Sequence, residues 1–490
     1  MEGTKKGRAL AGVMMTIFLA AMESTVVATA MPNAVGSLGG IEIYSWVGSG
    51  FLLTATVMMP LWGRLSDLYG RRPIYVIGVI VFLLGSALSG AAQTMGQLIG
   101  FRMIQGLGAG SLMTIGMTIV GELYGLERRA RMQGYLSGVW GIASLLGPLI
   151  GGLLTDHVSW RWVFYINLPF GVIAIALVVS ALREDRSSRR RAAIDYAGIA
   201  LFTTGVSALL LALEATRTQP SGGPAVVGAG AVAFAALAGF VGVERRAAEP
   251  IVPLRLFTNR MVLAASATGF LAGMAMFGAI QFVPLFLQAV GGMTATGAGI
   301  VLIPFVLGWV VMSIVSARLV LRVGYRGLVV AGMACLVGGF VLLSRWSPSL
   351  TLPAAMRDAL VGGVGMGLTM VPMLIAVQSA VERSELGTAT SMTQFFRTIG
   401  GAIGISLMGA VMGRRLASGL DMSDALHGVF VVGLGVAVVA LASAFLVPGG
   451  RAQDLARGGA SGAPARPGAG VRAGAEIGVP RPTGVDGGRR

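Results

Sequence analysis

The chain has 490 residues, of which 55% are hydrophobic and 12% charged, and its formal net charge at pH 7 is +16. Together with a mean hydropathy of +0.79, this composition excludes a water-soluble globular protein and indicates a polytopic membrane protein. The arginines fall in short clusters between apolar runs, so the positive charge reflects membrane topology and not a nucleic-acid-binding surface. Lysine occurs only at positions 5 and 6, which excludes a Gly-rich phosphate loop with its Gly-Lys-Ser or Gly-Lys-Thr ending.

Apolar runs near the ~20 residues that cross a bilayer as helix recur along the whole chain. The first run is too long for the core of a signal peptide and is expected to remain as a span. We therefore predict an all-α membrane protein with about fourteen helices. They are placed near 9–30, 43–62, 74–90, 95–121, 132–155, 163–182, 198–215, 225–243, 261–287, 295–317, 327–343, 352–377, 388–412 and 426–446.

The basic residues between these spans predict the orientation of the protein. Clusters at 5–8, 64–72, 128–131, 183–191, 245–260 and 318–326 all fall on one side, whereas 33–42, 91–94 and 287–293 carry no basic residue. Basic loops stay on the cytoplasmic side, so both termini are predicted to be cytoplasmic. Arg414 and Arg415 fall on the other side in this register, against the rule.

Landmarks of the first half of the chain recur in the second half. At an offset of 254 residues Arg64-Leu65, Gly70 and Arg72 correspond to Arg318-Leu319, Gly324 and Arg326, and at 255 Glu127-Arg128 corresponds to Glu382-Arg383. Such self-similarity predicts two six-helix bundles, with a substrate site between the halves near the middle of the bilayer. The predicted units are the bundles 1–182 and 261–446, an inserted two-helix linker at 183–260 and a disordered cytoplasmic tail at 447–490.

A charged segment joins the second and third predicted spans. Gly63 and Gly70 flank Asp67, and Arg71 and Arg72 follow. Glycine permits tight backbone geometry, the arginines favour the cytoplasmic side, and they can keep the carboxylate ionised. An ordinary stop-transfer loop would explain the arginines but not the aspartate and the paired glycines, so a role as a cytoplasmic gate is predicted.

Glu23 lies in the middle of the first span, where acids are rare and usually functional. Counting residues at ~1.5 Å each places Arg102 of the fourth span at a similar depth, so the two side chains can meet. Burial favours the protonated carboxyl and a nearby arginine favours the ionised one, so a movable pair can couple to protons. A purely structural acid, and an Arg102 side chain that reaches out to the headgroups, are the alternatives.

The fifth span contains a cluster of small residues and a proline, namely Gly147, Pro148, Gly151 and Gly152. Proline removes a backbone hydrogen bond and favours a kink, and glycine allows helices to approach closely. The cluster therefore predicts a hinge, a close helix contact or both.

The second half lacks counterparts of the two acids, since Phe277 and Leu321 stand at the positions that match Glu23 and Asp67. Proton coupling is therefore assigned to the first half. Polar and aromatic residues of the second half form a possible substrate surface for a flat organic molecule. They are Gln281, Phe282, Gln288, Gln394 and Phe395. His157 and His427 are solitary and predict neither a metal site nor a catalytic centre.

These motifs together resemble the fourteen-span drug:proton antiporter family of the major facilitator superfamily. The segment from Gly63 to Arg72 is similar to the family's loop between helices 2 and 3, and Glu23, with Thr25 and Pro32 after it, is similar to its helix 1 acid. Glutamate stands where aspartate is commoner. Further similar positions are Arg102, Gln105, Gly106 and Gly110 of helix 4, the fifth-span cluster at 147–152, and the segments 160–169 and 195–198.

The resemblance implies proton-driven export of lipophilic, often cationic drugs from a bacterial plasma membrane, with no cofactor beyond the proton gradient and with a monomer as the working unit. It also implies that Glu23 and Arg102 take part in coupling. Uptake of a small solute by proton symport shares this fold, and the fifth-span cluster favours antiport over it. A membrane receptor or enzyme is the alternative of another class, but no nucleophile or metal constellation is legible in the sequence.

Overall fold

The fold is described from a computed structural model. The structure describes residues 2–40, 43, 46–182, 195–218, 223–247, 250–293 and 295–449. The whole basic cluster at 183–191, the first part of the predicted linker 183–260, and nearly all of the predicted tail at 447–490 lie outside these residues.

The described chain is built from helices throughout. The first half contains α1 (Glu2–Leu38), α2 (Trp46–Tyr69), α3 (Arg71–Ala91), α4 (Met95–Leu123), α5 (Leu126–His157), α6 (Trp162–Tyr165) and α7 (Asn167–Ala181). The insertion contributes α8 (Tyr196–Thr218) and α9 (Pro224–Glu244). The second half contains α10 (Arg260–Ala289), α11 (Ala295–Val323), α12 (Tyr325–Leu343), α13 (Leu352–Ala380), α14 (Leu386–Ala417) and α15 (Met422–Ala444).

Thirteen stretches of the described chain are long and apolar enough to cross a membrane, which confirms an all-α membrane protein. The short helix α6 and the helix α7 form one such stretch, Trp162–Ala181. The long helix α2 falls outside this set, and it is the helix that ends in the Asp67 motif. Each of the fourteen predicted spans corresponds to a helix of the structure.

The described helices bury three apolar clusters, and the two larger ones are the cores of the two halves. One core joins α1 to α7 and contains Tyr75, Phe82 and Phe164, and the other joins α10 to α15 and contains Phe340 and Phe430. Gly70 (φ 94°) directly precedes α3, and Gly324 (φ 83°) directly precedes α12. Only glycine adopts this left-handed region readily, so the same sharp helix connection is built at matching positions of the two halves.

Two helix boundaries differ from the prediction. The segment between Gly63 and Tyr69 is the last part of α2 and not a loop, so Gly70 alone separates α2 from α3. The charged residues there end the apolar run but do not end the helix, because helices extend beyond the hydrocarbon layer. The helix α1 was predicted to end near residue 30, but it continues past Pro32 to Leu38.

The inserted helix α8 packs against both halves of the molecule, and α9 packs against α8. Phe202 of α8 packs against Phe240 of α9 with ring centroids 5.2 Å apart, and against Phe395 of α14 at 5.4 Å. The same cluster includes Val57 and Leu61 of α2. The insertion therefore covers the line along which α2 of the first half meets α14 of the second half.

Candidate functional site

The predicted pair of Glu23 and Arg102 is present in the interior of the first half. Arg102 Nη1 donates to Glu23 Oε1, and both side chains are buried, at 0% and 3% exposure for Glu23 and Arg102. The guanidinium is further held by Gln105 Oε1 at 2.8 Å and by the ring of Phe51, whose centroid lies 4.0 Å from the guanidinium carbon. A charge in this position is stable only because it is paired.

Asn167, at the start of α7, completes the environment of the carboxylate. Its Nδ2 donates to Glu23 Oε2 at 2.7 Å and to Ser86 Oγ at 2.9 Å, and Ser86 Oγ donates to the carbonyl of Phe164 at 2.8 Å. Both carboxylate oxygens of Glu23 therefore accept hydrogen bonds from buried donors.

Two buried polar atoms beside this carboxylate have no hydrogen-bond partner among the described residues. They are Asn167 Oδ1 and Gln105 Nε2. Buried polar groups are normally satisfied, and an unsatisfied acceptor next to a carboxyl group leaves a place for a proton that the carboxyl gains. The network therefore has unused hydrogen-bonding capacity at the point where a proton would arrive.

Asp67 contacts the opposite half of the molecule. Its Oδ1 accepts from the amide N–H of Gly387 at 2.9 Å, and its Oδ2 accepts from the amide N–H and the hydroxyl of Thr388, each at 2.7 Å. Gly387 and Thr388 lie in the first turn of α14, where amide groups lack partners within the helix. Asp67 thus caps α14 from outside, and its negative charge is favoured at the positive end of the helix dipole.

Arg71 anchors this carboxylate within the first half. It forms an ion pair with Asp67 and another with Glu122 of α4, whose Oε1 lies 2.8 Å from Nη2. Nη2 also donates to the backbone carbonyl of Arg383, just before α14, at 3.3 Å. Arg72 is half-buried at the start of α3.

Further hydrogen bonds join the halves at the same end of the molecule. Arg129 Nη1 donates to the carbonyl of Gln378 at 3.2 Å, and Gln378 Nε2 donates to the carbonyl of Met117 at 3.3 Å. Throughout the described part of the chain, all hydrogen bonds between the two halves lie at this end, which we call the Asp67 end. The halves are therefore latched together there.

Glycines allow the helices to approach closely where the halves meet. A Cβ atom at Gly63 would lie 2.1 Å from Ser391 Oγ and 2.7 Å from the carbonyl of Gly387. A Cβ atom at Gly141 of α5 would lie 2.0 Å from Val310 Cγ2 of α11. Side chains larger than hydrogen would separate α2 from α14 and α5 from α11.

The glycine cluster of α5 packs against the helix that carries Glu23. A Cβ atom at Gly147 would lie 1.9 Å from Thr25 Oγ1 and 3.2 Å from the carbonyl of Met22. Pro148 and the buried Gly151 lie within the same helix, and Gly152 has open space where a Cβ would be. Helix α5 therefore contacts α1 beside Glu23 and contacts α11 of the second half nearer the Asp67 end.

A cavity lies between the halves. Ile17, Met117 and Trp140 line it from the first half, and Met276, Trp309 and Met370 line it from the second half. Trp140 and Trp309 pack against each other on its wall, with ring centroids 5.0 Å apart. Glu23 is not among its lining residues, so in this conformation the proton-coupling candidate and the cavity are separate.

Of the five residues predicted to form a substrate surface, Gln394 lines this cavity. Phe282 is buried in the core of the second half, and Phe395 packs against the insertion. Gln281 and Gln288 are exposed, and neither they nor the two phenylalanines line the cavity. The pattern of a helix that is apolar on all sides contains no facing direction, so it could not show which of these residues line the cavity.

Three polar residues inside the membrane were missed by the sequence analysis. Asn167 belongs to the Glu23 network, Arg397 lines the cavity, and Asp358 is buried near the start of α13. Asp358 accepts from Trp346 Nε1 at 3.0 Å and pairs with Arg357 at 2.8 Å. Each lies within a predicted span, so the rule that singled out Glu23 would have found Arg397 and Asp358 as well.

Comparison with known proteins decides the family. The family model described as Major Facilitator Superfamily matches residues 13–405. The chain belongs to the major facilitator superfamily. Among major facilitator proteins it is 39% identical over 428 residues to the multidrug transporter protein MdtP of Bacillus subtilis, covering 87% of this chain and 79% of that protein. It is 35% identical over 418 residues to multidrug resistance protein 3 of the same organism, covering 85% and 81%.

Solved structures of the superfamily share the fold. The human organic anion transporter MFSD10 superposes with a TM-score of 0.65 at 17% identity, covering 90% of this chain and 99% of that one. The proton:xylose symporter XylE superposes with a TM-score of 0.65 at 13% identity, covering 91% and 97%. At these identities the likeness concerns the major facilitator fold alone. The protein is a transporter, with a small molecule as its cargo.

Proposed function

We propose that this transporter exports lipophilic, drug-like compounds in exchange for protons by alternating access. The observation that carries the proposal is the buried Glu23–Arg102 pair, an ionisable carboxylate inside a membrane span. The names of the two Bacillus relatives, a multidrug transporter and a multidrug resistance protein, support the cargo class. The motifs shared with the fourteen-span drug:proton antiporters support the exchange of drug for proton.

The contacts of Glu23 support a role in coupling. In the conformation described, the carboxylate accepts from Arg102 and Asn167, so the charge of Arg102 is paired inside the first half. A proton on Glu23 neutralises the carboxylate and so removes the charge attraction between Glu23 and Arg102. It also gives the carboxyl group an O–H that can donate a hydrogen bond. Because α5 contacts α1 at Thr25 and α11 at Val310, a rearrangement around Glu23 reaches the contact between the halves through one helix.

The latch at the Asp67 end supports alternating access. With the Asp67 end assigned to the cytoplasm by the arginine distribution, the latched conformation closes the inner side of the transporter. Export then requires that Asp67 leave the amino terminus of α14 so that the cavity opens inward, and that it return after loading. Because the closed Asp67 end is held by a few hydrogen bonds, a ligand that binds the inward-open state more tightly can shift the populations.

The test is transport by purified protein in liposomes. A lipophilic fluorescent drug is expected to move against its gradient when a pH gradient is imposed, and an opposing proton flux is expected to accompany it. Glu23→Gln should abolish both fluxes without loss of protein from the membrane, because removing an intramembrane charge eases insertion. Glu127→Gln, at an exposed acid at the start of α5, is the matched control.

Drug movement that is independent of the pH gradient, or that Glu23→Gln leaves unchanged, would refute proton exchange at Glu23. Proton and drug fluxes in the same direction would instead identify a symporter. Loss of transport in both acid variants would show that the effect is not specific to Glu23.

A further inference from the structure

Arg397 is a cation in the middle of the membrane, on the wall of the central cavity. It lies eleven residues beyond Leu386, the first residue of α14, which corresponds to ~16 Å of helix from the Asp67 end at ~1.5 Å per residue. Half of a hydrocarbon core is about 15 Å. The side chain is therefore too deep for its guanidinium to reach either membrane surface.

This arginine has no counter-ion in the part of the chain that the structure describes. Its nearest polar contact is Met370 Sδ, 3.9 Å from Nη1, and its Nε is buried without a hydrogen-bond partner. No described carboxylate lies within 4.0 Å of the guanidinium. Arg102, by contrast, is satisfied by Glu23 and Gln105.

An unpaired charge inside a membrane is unfavourable, and intramembrane arginines normally pair or line a pathway. Arg397 lines the cavity, so a partner from outside the protein can reach it there. A guanidinium presents a planar fork of donors that matches a carboxylate, which is its strongest natural partner. The unoccupied donors therefore indicate a ligand with an anionic group.

The rest of the cavity wall indicates an apolar body for this ligand. Met117, Met276 and Met370 supply flexible, polarisable surface, and Trp140 and Trp309 supply flat aromatic surface. Methionine-rich walls adapt to different shapes. A ligand that satisfies both parts of the wall has an aromatic or aliphatic body and one negative charge.

We propose that the central cavity binds lipophilic organic anions, with the carboxylate or phenolate of the substrate on the guanidinium of Arg397 and its apolar body against the wall formed by the Trp140–Trp309 pair and the methionines. This inference rests on the proposed export function, because it names the substrate class of that transporter. It differs from the cationic cargo that the family resemblance implies. The described charged residue on the cavity wall is Arg397, whereas Glu23 lies apart from the cavity.

The test uses two dyes of nearly equal size and shape, the ionised 7-diethylaminocoumarin-3-carboxylate and its uncharged methyl ester. Binding to purified protein is measured by fluorescence polarisation, without any gradient, so it does not depend on proton coupling. The wild type is expected to bind the carboxylate dye about tenfold more tightly than the ester, the usual size of a charge-assisted hydrogen bond. Arg397→Gln should remove this preference and leave binding of the ester unchanged.

Two further variants complete the design. Arg397→Lys keeps the positive charge and should retain part of the preference. Arg414→Gln makes the same change at an exposed arginine in the last turn of the same helix, and it should leave the preference intact. Unchanged ester binding in Arg397→Gln shows that the cavity is still folded.

Equal or tighter binding of the ester by the wild type would overturn the inference, as would a preference that survives Arg397→Gln. If Arg397→Gln fails to fold, Arg397→Lys decides, because a lysine variant without any carboxylate preference also overturns it. If the binding preference holds but neither dye is transported under a pH gradient, the export function fails while the anion site stands.

Discussion

The carboxylate of Asp67 in the first half of the chain caps the first turn of α14 in the second half, with 2.7 Å between its Oδ2 and the amide nitrogen of Thr388. Such a cap is ordinarily made within one helix by the residue that precedes it. Here the capping group belongs to another bundle, so the helix end is satisfied only while the two halves are together. The contact therefore forms only when the Asp67 end is closed.

We expect Asp67→Asn to weaken closure at this end. The amide keeps one acceptor but loses the charge and one of the two acceptor oxygens, at a cost of ~1–3 kcal/mol. The amides of Gly387 and Thr388 should then exchange hydrogen faster, about tenfold for each 1.4 kcal/mol, as measured by mass spectrometry on a peptide from the start of α14. The transport rate of Asp67→Asn should fall as well, because closure at this end is weakened.

Asp156→Asn is the control for this experiment, because Asp156 is exposed in the last turn of α5, away from the Asp67 end. An exchange rate at Gly387 and Thr388 that matches wild type in the Asp67 variant would contradict the capping role.

Gly63→Ala should block full closure between α2 and α14. The new methyl group would meet Ser391 Oγ at 2.1 Å and the carbonyl of Gly387 at 2.7 Å, and overpacking of this kind costs ~1–3 kcal/mol. We expect a fall in transport of about fivefold or more, since 1 kcal/mol already changes a population about fivefold. Gly48→Ala, in the same helix with open space at its Cβ, should transport like wild type, and an equal loss in both variants would refute the explanation.

Gly147→Ala should disturb the contact between α5 and α1 beside Glu23. The nearest atom to the new Cβ is Thr25 Oγ1 at 1.9 Å, whereas the next atoms lie at 3.0 Å or more. The double variant Gly147→Ala/Thr25→Ala removes that nearest atom and should recover most of the transport rate in liposomes. Gly152→Ala has open space and should be neutral. A double variant as impaired as Gly147→Ala, with Thr25→Ala itself active, would contradict a steric cause.

Asn167→Ala should slow transport. Asn167 Nδ2 donates to Glu23 and to Ser86, and its removal leaves two buried oxygen atoms without this donor, at a cost of ~1–3 kcal/mol. We expect the initial transport rate in liposomes to fall about fivefold or more. Asn33→Ala, at an exposed position of α1, is the control, and a wild-type rate in Asn167→Ala would contradict a role of this amide in the Glu23 network.

The fold was predictable from the sequence because a bilayer imposes one rule on every span. Apolar length alone located each helix, and depth counted along two helices was enough to predict that Glu23 meets Arg102. The helix ends were less predictable. Charged residues such as Arg64 and Asp67 end the apolar run, but they continue α2 beyond the membrane.

Facing directions could not be predicted, because many spans are apolar on all sides and carry no stripe. Gln281 and Gln288 therefore turned out exposed and away from the cavity, while Arg397, only three residues from Gln394, lines it. The same limitation hid the capping role of Asp67. The sequence indicated a gate at Asp67. Its hydrogen-bond partner Thr388 lies 321 positions away, and no motif in the sequence marked Thr388 as that partner.

The two halves meet along two lines, α2 with α14 and α5 with α11. The insertion packs over the first of these lines and so makes the two unequal. Phe202 of α8 packs across the line between α2 and α14, and when the halves move apart α8 must part from one of them. The movement proposed above would therefore break the contact of Phe202 either with α2 or with Phe395 of α14. The insertion therefore breaks the two-fold symmetry of the repeat, so the two sides of the molecule present different surfaces to the lipid.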